Sequence, residues 1–470
     1  MKKNVCFPLL LLILAALAFP AHANVQLPAI FGNHMVLQQN ADVTIWGWAK
    51  AGEEVTVTPS WDHESLKVKA SNLARWEVKV KTPGAGGPHS LKFQGYNTLV
   101  IDDILMGEVW LCSGQSNMEW PARAKIDHAE KVIAEANFPS IRFFTVAHRT
   151  ADAPQLDLGG QWVVCTPETM IDFSAVGYFF GKEIHQNLNV PVGLINSSWG
   201  GTPAELWVNP KVITEDKGLS AAAAQQQEVP YGPEQPGKAY HAMIAPLIPF
   251  RIAGALWYQG ESNTVSPDNY AQLLPALIRN WRSEWGSEFP FYYVQIAPYK
   301  NYGGDSGVRL RDAQRQVMNT VPNTGMVVVS DIGNVDDIHP RNKIDVGKRL
   351  AAWALNKTYG KKEIPISGPL YREMKVEGNK IRVFFDHAEQ GLVAKGKTLT
   401  HFEIAGSDGD FVPATAKIEG NTVVVQARGV KNPVAVRFAW GNAAEPNLFN
   451  KAGLPASSFR SDSGPVAGQK

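Results

Sequence analysis

Hydrophobic positions change period twice along the chain. From Asn24 to Asp103 they alternate with polar ones: Val43, Ile45 and Gly47, then Val55 and Val57, then Trp76, Val78 and Val80, separated by turn clusters such as Thr82-Pro83-Gly84. A period of two predicts half-buried antiparallel strands and a small β-sandwich. Between Ile104 and Tyr359, short apolar runs alternate with helical stripes. The runs are Glu108–Cys112, Ile141–Phe144, Val192–Asn196, Ile252–Tyr258, Tyr292–Ile296 and Met326–Ser330. One stripe is Phe173, Val176, Phe180, Ile184 and Leu188; a second is Tyr270, Leu273, Leu274, Leu277 and Trp281; a third is Leu310, Ala313, Val317 and Val321. Apolar strands between amphipathic helices predict an α/β layer, its parallel sheet covered on both faces and its ligands held beyond the strands' carboxyl ends. After Gly360 the alternation returns in Ile381, Val383 and Phe385, then Val423 and Val425, then Val436, Phe438 and Trp440. The expected division is a β domain at 24–103, a catalytic α/β domain at 104–359 and a second β domain at 360–470. Gly218–Lys238, rich in Ala, Gln, Pro and Gly, reads as a surface excursion from the middle region.

The first residues read differently. Lys2 and Lys3 precede the apolar run Leu9–Ala18, and Ala21-His22-Ala23 offers small residues where a signal peptidase cuts. A cleavable signal peptide over residues 1–23 is expected, with export to a bacterial periplasm or beyond. The run is about half of the ~20 residues that span a bilayer, and no later stretch is apolar enough, so no membrane span is expected.

Composition narrows the partners. Lys and Arg number 45 against 44 Asp and Glu, a net charge of +1 over 470 residues, so no basic footprint for nucleic acid is present. Three cysteines exclude a disulfide-dense scaffold, and Cys112 and Cys165 fit either two buried thiols or one bridge. Fourteen Trp and 41 Gly lean towards carbohydrate handling.

Four strand ends carry candidate chemistry. Gly114-Gln115-Ser116-Asn117-Met118 follows a buried strand, where a serine projects at the sheet edge as a nucleophile; Met118 stands where the lipase elbow needs glycine. Asn196-Ser197-Ser198-Trp199-Gly200-Gly201 ends a second strand, its glycines able to bring bare N–H groups against a ligand. Trp257-Tyr258-Gln259-Gly260-Glu261-Ser262-Asn263 brings two neutral amides, with Glu261 orienting neighbours or capping a helix. Asp336-Asp337-Ile338-His339-Pro340 supplies an acid and a base, as a serine nucleophile requires, with Asp337 and Asp331 as further carboxylates. His128, His148, His185, His241, His387 and His401 show no metal-ligand spacing and read as scattered histidines. Arg309, Arg311 and Arg315 recur along one helix and read as a solvated or interdomain face.

The Gly114–Met118 and Trp257–Asn263 blocks and Asp336-x-x-His339 resemble the sialate O-acetylesterase family of SGNH hydrolases, related to bacterial acetylxylan esterases. Phe173–Phe180, Ala242–Leu247 and Gly453–Arg460 extend the likeness over nearly the whole mature chain. The resemblance implies a three-layer α/β/α SGNH domain with a parallel sheet, flanked by N- and C-terminal β-sandwich-like domains, and no metal or organic cofactor. It implies Ser116 as nucleophile, His339 as base and Asp336 as its orienter. The oxyanion hole it implies joins the Ser116 amide, Gly200 or Gly201, and the side-chain amide of Gln259 or Asn263. Gln115, Asn117, Glu261 and Trp199 are expected to contact an acetylated sugar or glycan, and Trp120, Trp199 or Trp257 to wall the acyl pocket. The expected activity is deacetylation of sialic acids, with acetylxylan or another plant glycan as the alternative substrate. A glycoside hydrolase using Glu119 and Glu261, or a non-catalytic glycan-binding protein, is the remoter reading.

Overall fold

The computed structural model describes residues 24–62 and 64–462; the expected signal peptide lies outside them. The middle of the chain forms one sheet in the order Thr324–Val327, Phe291–Val294, Gly254–Tyr258, Thr98–Gly114, Val192–Ser198, Phe138–Thr145 and Trp162–Cys165. Neighbours run parallel except at the last pair, where Trp162–Cys165 closes the edge antiparallel to Phe138–Thr145. That reversal had no counterpart in the predicted all-parallel sheet, because Trp162–Cys165 is short and follows a loop without a helical stripe.

Both faces are covered, as continuous burial of the strands requires. Val109, Leu111, Ala255, Trp257, Phe291 and Tyr293 point to one core with Leu273, Leu277, Leu310 and Val317 of the helices Tyr270–Trp285 and Ser306–Thr320. Trp110, Cys112, Leu256, Tyr258, Tyr292 and Val294 point to the other, with Val176, Phe180, Val346 and Leu350 of the helices Ala175–Leu188 and Lys343–Trp353. All three predicted stripes are therefore helices on this sheet. Ala175–Leu188 and Lys343–Trp353 meet at Gly347, where a Cβ would come within 2.9 Å of both the Phe180 nitrogen and the Val176 oxygen.

Thr98–Gly114 is the mechanical link to the N-terminal β region. Its first half pairs antiparallel with Gly86–Gln94 and its second half is a central strand of the layer, with Asp103 at φ 55° between them. Val36–Gln38 also joins it, in parallel. Val43, Ile45, Val55 and Phe93 of this region share one apolar core with the α/β layer. The C-terminal β region has its own core around Ile381, Val383, Phe402, Val425 and Phe438. Arg311 joins the two, donating to the Gly441 and Asn442 carbonyls, and Gln295 donates to Ser457. Arg311 thus lies in an interdomain contact, and Arg309 pairs with Asp268.

Candidate active site

The carboxyl ends of these strands border a cavity of about 890 Å³, with Ser116 and His339 in its wall. Ser116 gets there because the chain turns sharply at Gly114, which has φ 133° and lies so close to strand Gly254–Tyr258 that a Cβ would meet the Tyr258 oxygen at 2.2 Å. Only glycine fits. The Gln115 N–H then donates to the Tyr258 oxygen (3.0 Å), and the short helix Ser116–Glu119 begins.

The Ser116 Oγ and His339 Nε2 are 2.9 Å apart, although 223 residues separate them. Trp120 stacks on the His339 ring, centroids 4.1 Å apart, and restricts its tilt. Burial, with Lys343 nearby, holds the His339 pKa below the usual histidine value, while Asp337 pulls the other way. The lowered pKa favours the neutral imidazole, which in its Nδ1–H tautomer can accept a proton at Nε2.

Asp336 is not brought to the histidine. Its exposed carboxylate pairs with Lys300 at 2.5 Å. The neighbouring Asp337 stands nearer: its Oδ1 accepts the His339 backbone N–H at 2.9 Å and lies 4.0 Å from Nδ1. The two carboxylates are adjacent in one tight loop yet take different partners, Asp336 the Lys300 ammonium and Asp337 the His339 backbone. Asp331 is engaged with Arg349.

The expected oxyanion donors divide. Gly200 lies against Ser116, but its N–H donates to Glu119 Oε2 at 2.6 Å. Gly201 is in the cavity wall, with φ 75°. Gln259 and Asn263 are buried behind the wall: Gln259 Nε2 donates to the Thr202 oxygen and Asn263 Oδ1, and Asn263 Nδ2 to Glu205. They form structural bonds, and the amide facing the cavity is Gln115, whose Oε1 accepts the Gly260 and Ser262 N–H groups. Among the described residues, Gln115 Nε2 has no protein acceptor.

Two further expectations change. Asn117 is fully buried, donating from Nδ2 to Glu261 Oε1 (2.6 Å) and the Ile338 oxygen (3.0 Å), so it holds the loops together and is out of substrate's reach. Burial raises the Glu261 pKa, partly offset by its bond from Asn117 and by Lys343. Trp257 is in the core, leaving Trp120 and Trp199 on the cavity. Cys112 and Cys165 are free buried thiols.

Two features depart from their sequence reading, His148 as a scattered histidine and Gly218–Lys238 as a surface excursion, and a third, Lys343, has no sequence reading. His148 lines the cavity, stacked on Trp199 at 4.3 Å, with Nε2 3.1 Å from Glu119 Oε1 and 3.0 Å from the Ser198 oxygen. Burial opposes its protonation, but those two bonds outweigh burial and raise its pKa. Residues 226–234 of the supposed excursion form a cavity wall through Gln226, Val229, Tyr231 and Glu234. Lys343 is wholly buried and donates to Asn117 Oδ1 at 2.6 Å. Its place was marked, since positions 343, 346, 347 and 350 share one helix face and a lysine interrupts the apolar residues there.

A sheet-edge hydroxyl–imidazole pair in an α/β layer is the architecture of a carboxylic-ester hydrolase, and the comparisons agree. A profile described as "Carbohydrate esterase, sialic acid-specific acetylesterase" matches residues 106–356. Sialate O-acetylesterase of Pongo abelii is 32% identical over 458 residues, covering 87% of this chain and 86% of that protein. The Homo sapiens sialate O-acetylesterase is 32% identical over 460 residues, with the same coverage. A crystal structure of a carbohydrate acetylesterase from Xanthomonas citri superposes with TM-score 0.86 at 37% identity, covering 94% of this chain and 100% of that one. The chain belongs to the sialic acid-specific acetylesterase family of carbohydrate esterases.

Proposed function

We propose that the protein removes acetyl groups from a sugar through an acetyl-enzyme on Ser116. The observation that carries this reading is the 2.9 Å contact between Ser116 Oγ and His339 Nε2. Ser116 Oγ attacks the acetyl carbonyl as its proton passes to Nε2. The tetrahedral oxyanion is met by backbone N–H groups of Ser116 and Gly201 and by the Gln115 amide, donors of a kind worth about 3 kcal/mol each in comparable sites. The imidazolium, stabilised by Asp337, returns the proton to the sugar oxygen as the C–O bond breaks. Water then repeats both proton transfers, releasing acetate and restoring Ser116.

The substrate we propose is an O-acetylated sialic acid, in line with the relatives' names. A second reading, a neutral acetylated glycan of the plant-wall kind, has its own support. Arg123, the arginine on the cavity, is paired with Asp172 at 2.8 Å, and Glu119, Glu234 and Glu261 add negative charge. The Asp172 carboxylate beside Arg123 offsets its charge and so weakens its attraction for a sialate carboxylate, whereas an uncharged sugar is unaffected. Glu119 and Glu261 are engaged with Gly200 and Asn117, which disfavours a glycoside hydrolase using that pair. Acetate release from acetylated sialic acid and from acetylated xylan or xyloglucan, with Ser116→Ala alongside, tests both levels. Turnover retained in Ser116→Ala ends the nucleophile assignment, and preference for the uncharged substrates ends the sialate one. Export through the signal peptide expected at residues 1–23 completes the proposal, and N-terminal sequencing of the secreted protein checks it.

A further inference from the structure

A lysine without exposed surface needs a reason. Taking an ammonium out of water costs several kcal/mol unless partners compensate, and an apolar side chain would fill the same space more favourably. The partners of Lys343 are few: the Asn117 Oδ1 at 2.6 Å and the ring face of Tyr258, 5.6 Å from the ammonium. Burial brings its pKa down to about 7, with Glu261 and Asp337 opposing that fall.

Its position is informative. The Lys343 ammonium only donates and the Ile338 carbonyl only accepts, so the two together fix which end of the Asn117 amide is the oxygen. Nδ2 must then face Glu261 Oε1 and the Ile338 carbonyl, and it does, at 2.6 and 3.0 Å. Asn117 directly follows Ser116, and Ile338 directly precedes His339. One buried amide therefore ties the segment carrying the hydroxyl to the segment carrying the imidazole, and Lys343 sets its orientation. Glu261 Oε2 has no hydrogen-bond partner among the described residues, so the network is not closed as a purely structural ion pair would be.

We infer that Lys343 is a positioning residue of the reaction: through Asn117 it holds the His339 loop against the Ser116 helix. The charged and titratable groups facing this pair are Glu261, after the strand Gly254–Tyr258; Asp337, on the histidine's own loop; and Tyr258, whose ring lies under the ammonium. Around His339 stand Ser116, Trp120, Asp337 and Lys343. The charge on Lys343 adds to burial in holding the His339 pKa down. Base and nucleophile then stay competent at lower pH than an ordinary histidine would permit.

The inference rests on the Ser116–His339 reading above, and its test includes a measurement independent of turnover. The histidine ring resonances of the wild-type protein are titrated by NMR, with His339→Gln to assign the signal, and the titration is repeated in Lys343→Met. His339 is expected to titrate below 6.5 in the wild type and higher without the lysine, as for loss of a like charge. In parallel, Lys343→Met should lower kcat about 10- to 100-fold with little change in KM, and move the acidic limb of kcat/KM upward together with the His339 titration. Lys343→Gln removes the charge but retains a donor for Asn117, and should show the upward limb with a smaller fall in kcat. A variant merely less heat-stable, with kcat and the limb unmoved, overturns the inference. So does a wild-type His339 that titrates at 6.5 or above, a result available even if no Lys343 variant folds. Turnover in Ser116→Ala would instead sink the nucleophile assignment while leaving the His339 titration to be read on its own terms.

Discussion

Which carboxylate serves His339 is decided by replacing each in turn. In Asp337→Asn the retained Oδ1 can still accept the His339 N–H, so the loop turn survives and the change is mainly loss of charge. Opposite charges 4.0 Å apart, the Asp337 Oδ1–Nδ1 separation, attract by about 4 kcal/mol at an effective dielectric of 20 and about 1 kcal/mol in water. The Asp337 side chain is 44% exposed, so solvent screening places the value between these limits. Stabilisation of the imidazolium by roughly 1–3 kcal/mol corresponds to about 5- to 150-fold in kcat. That is less than the roughly 10⁴-fold loss where the carboxylate bonds the imidazole directly. Asp336→Asn removes only an exposed partner of Lys300 and should change kcat by about twofold at most. The assay is steady-state acetate release at neutral pH, with circular dichroism confirming the fold of both variants. A large loss in Asp336→Asn beside a silent Asp337→Asn would refute the reasoning.

Other consequences can be checked as directly. His339 must be unprotonated to accept the serine proton, and its folded pKa is lowered, so kcat/KM should rise with pH to a plateau with its midpoint below 6.5; a midpoint above 7 contradicts the burial argument. Gly347→Ala forces a Cβ into backbone of the neighbouring helix, where neither partner can yield, and should cost about 1–3 kcal/mol by denaturant titration. An unchanged midpoint would mean that the two helices can separate there. Asp172→Asn releases Arg123 and should lower KM for acetylated sialic acid relative to acetylated xylan; an unchanged ratio means that Arg123 does not meet the sugar.

Much of the layer was legible because buried parallel strands leave an unmistakable trace. Val192–Ser198 is buried at every position, and its apolar first half had marked it as a strand. Helical stripes such as Tyr270, Leu273, Leu274, Leu277 and Trp281 were equally plain, since a 3.6-residue period has no competing explanation over about three turns. The serine and histidine were legible as chemistry at strand ends. Their partners were not. Asp336 and Asp337 are adjacent, and only the loop's path decides which one faces Nδ1. Gln259 and Asn263 stand where a donor was expected, yet the Thr202 carbonyl and Glu205 take their amides. His148 reaches the cavity from a loop with no period to read, and only the fold sets it beside Glu119. Lys343 differs, since its place on an apolar helix face was visible in the sequence and was passed over.

The acetyl-enzyme itself gives the most direct test. His339→Ala slows both proton transfers, and rapid acid quenching after exposure to an activated acetyl ester, followed by peptide mass spectrometry, locates any covalent acetyl group. One acetyl group is expected, on Ser116 and absent from the Ser116→Ala/His339→Ala control. Acetyl groups confined to another residue, with Ser116→Ala alone still releasing acetate at the wild-type rate, would contradict it.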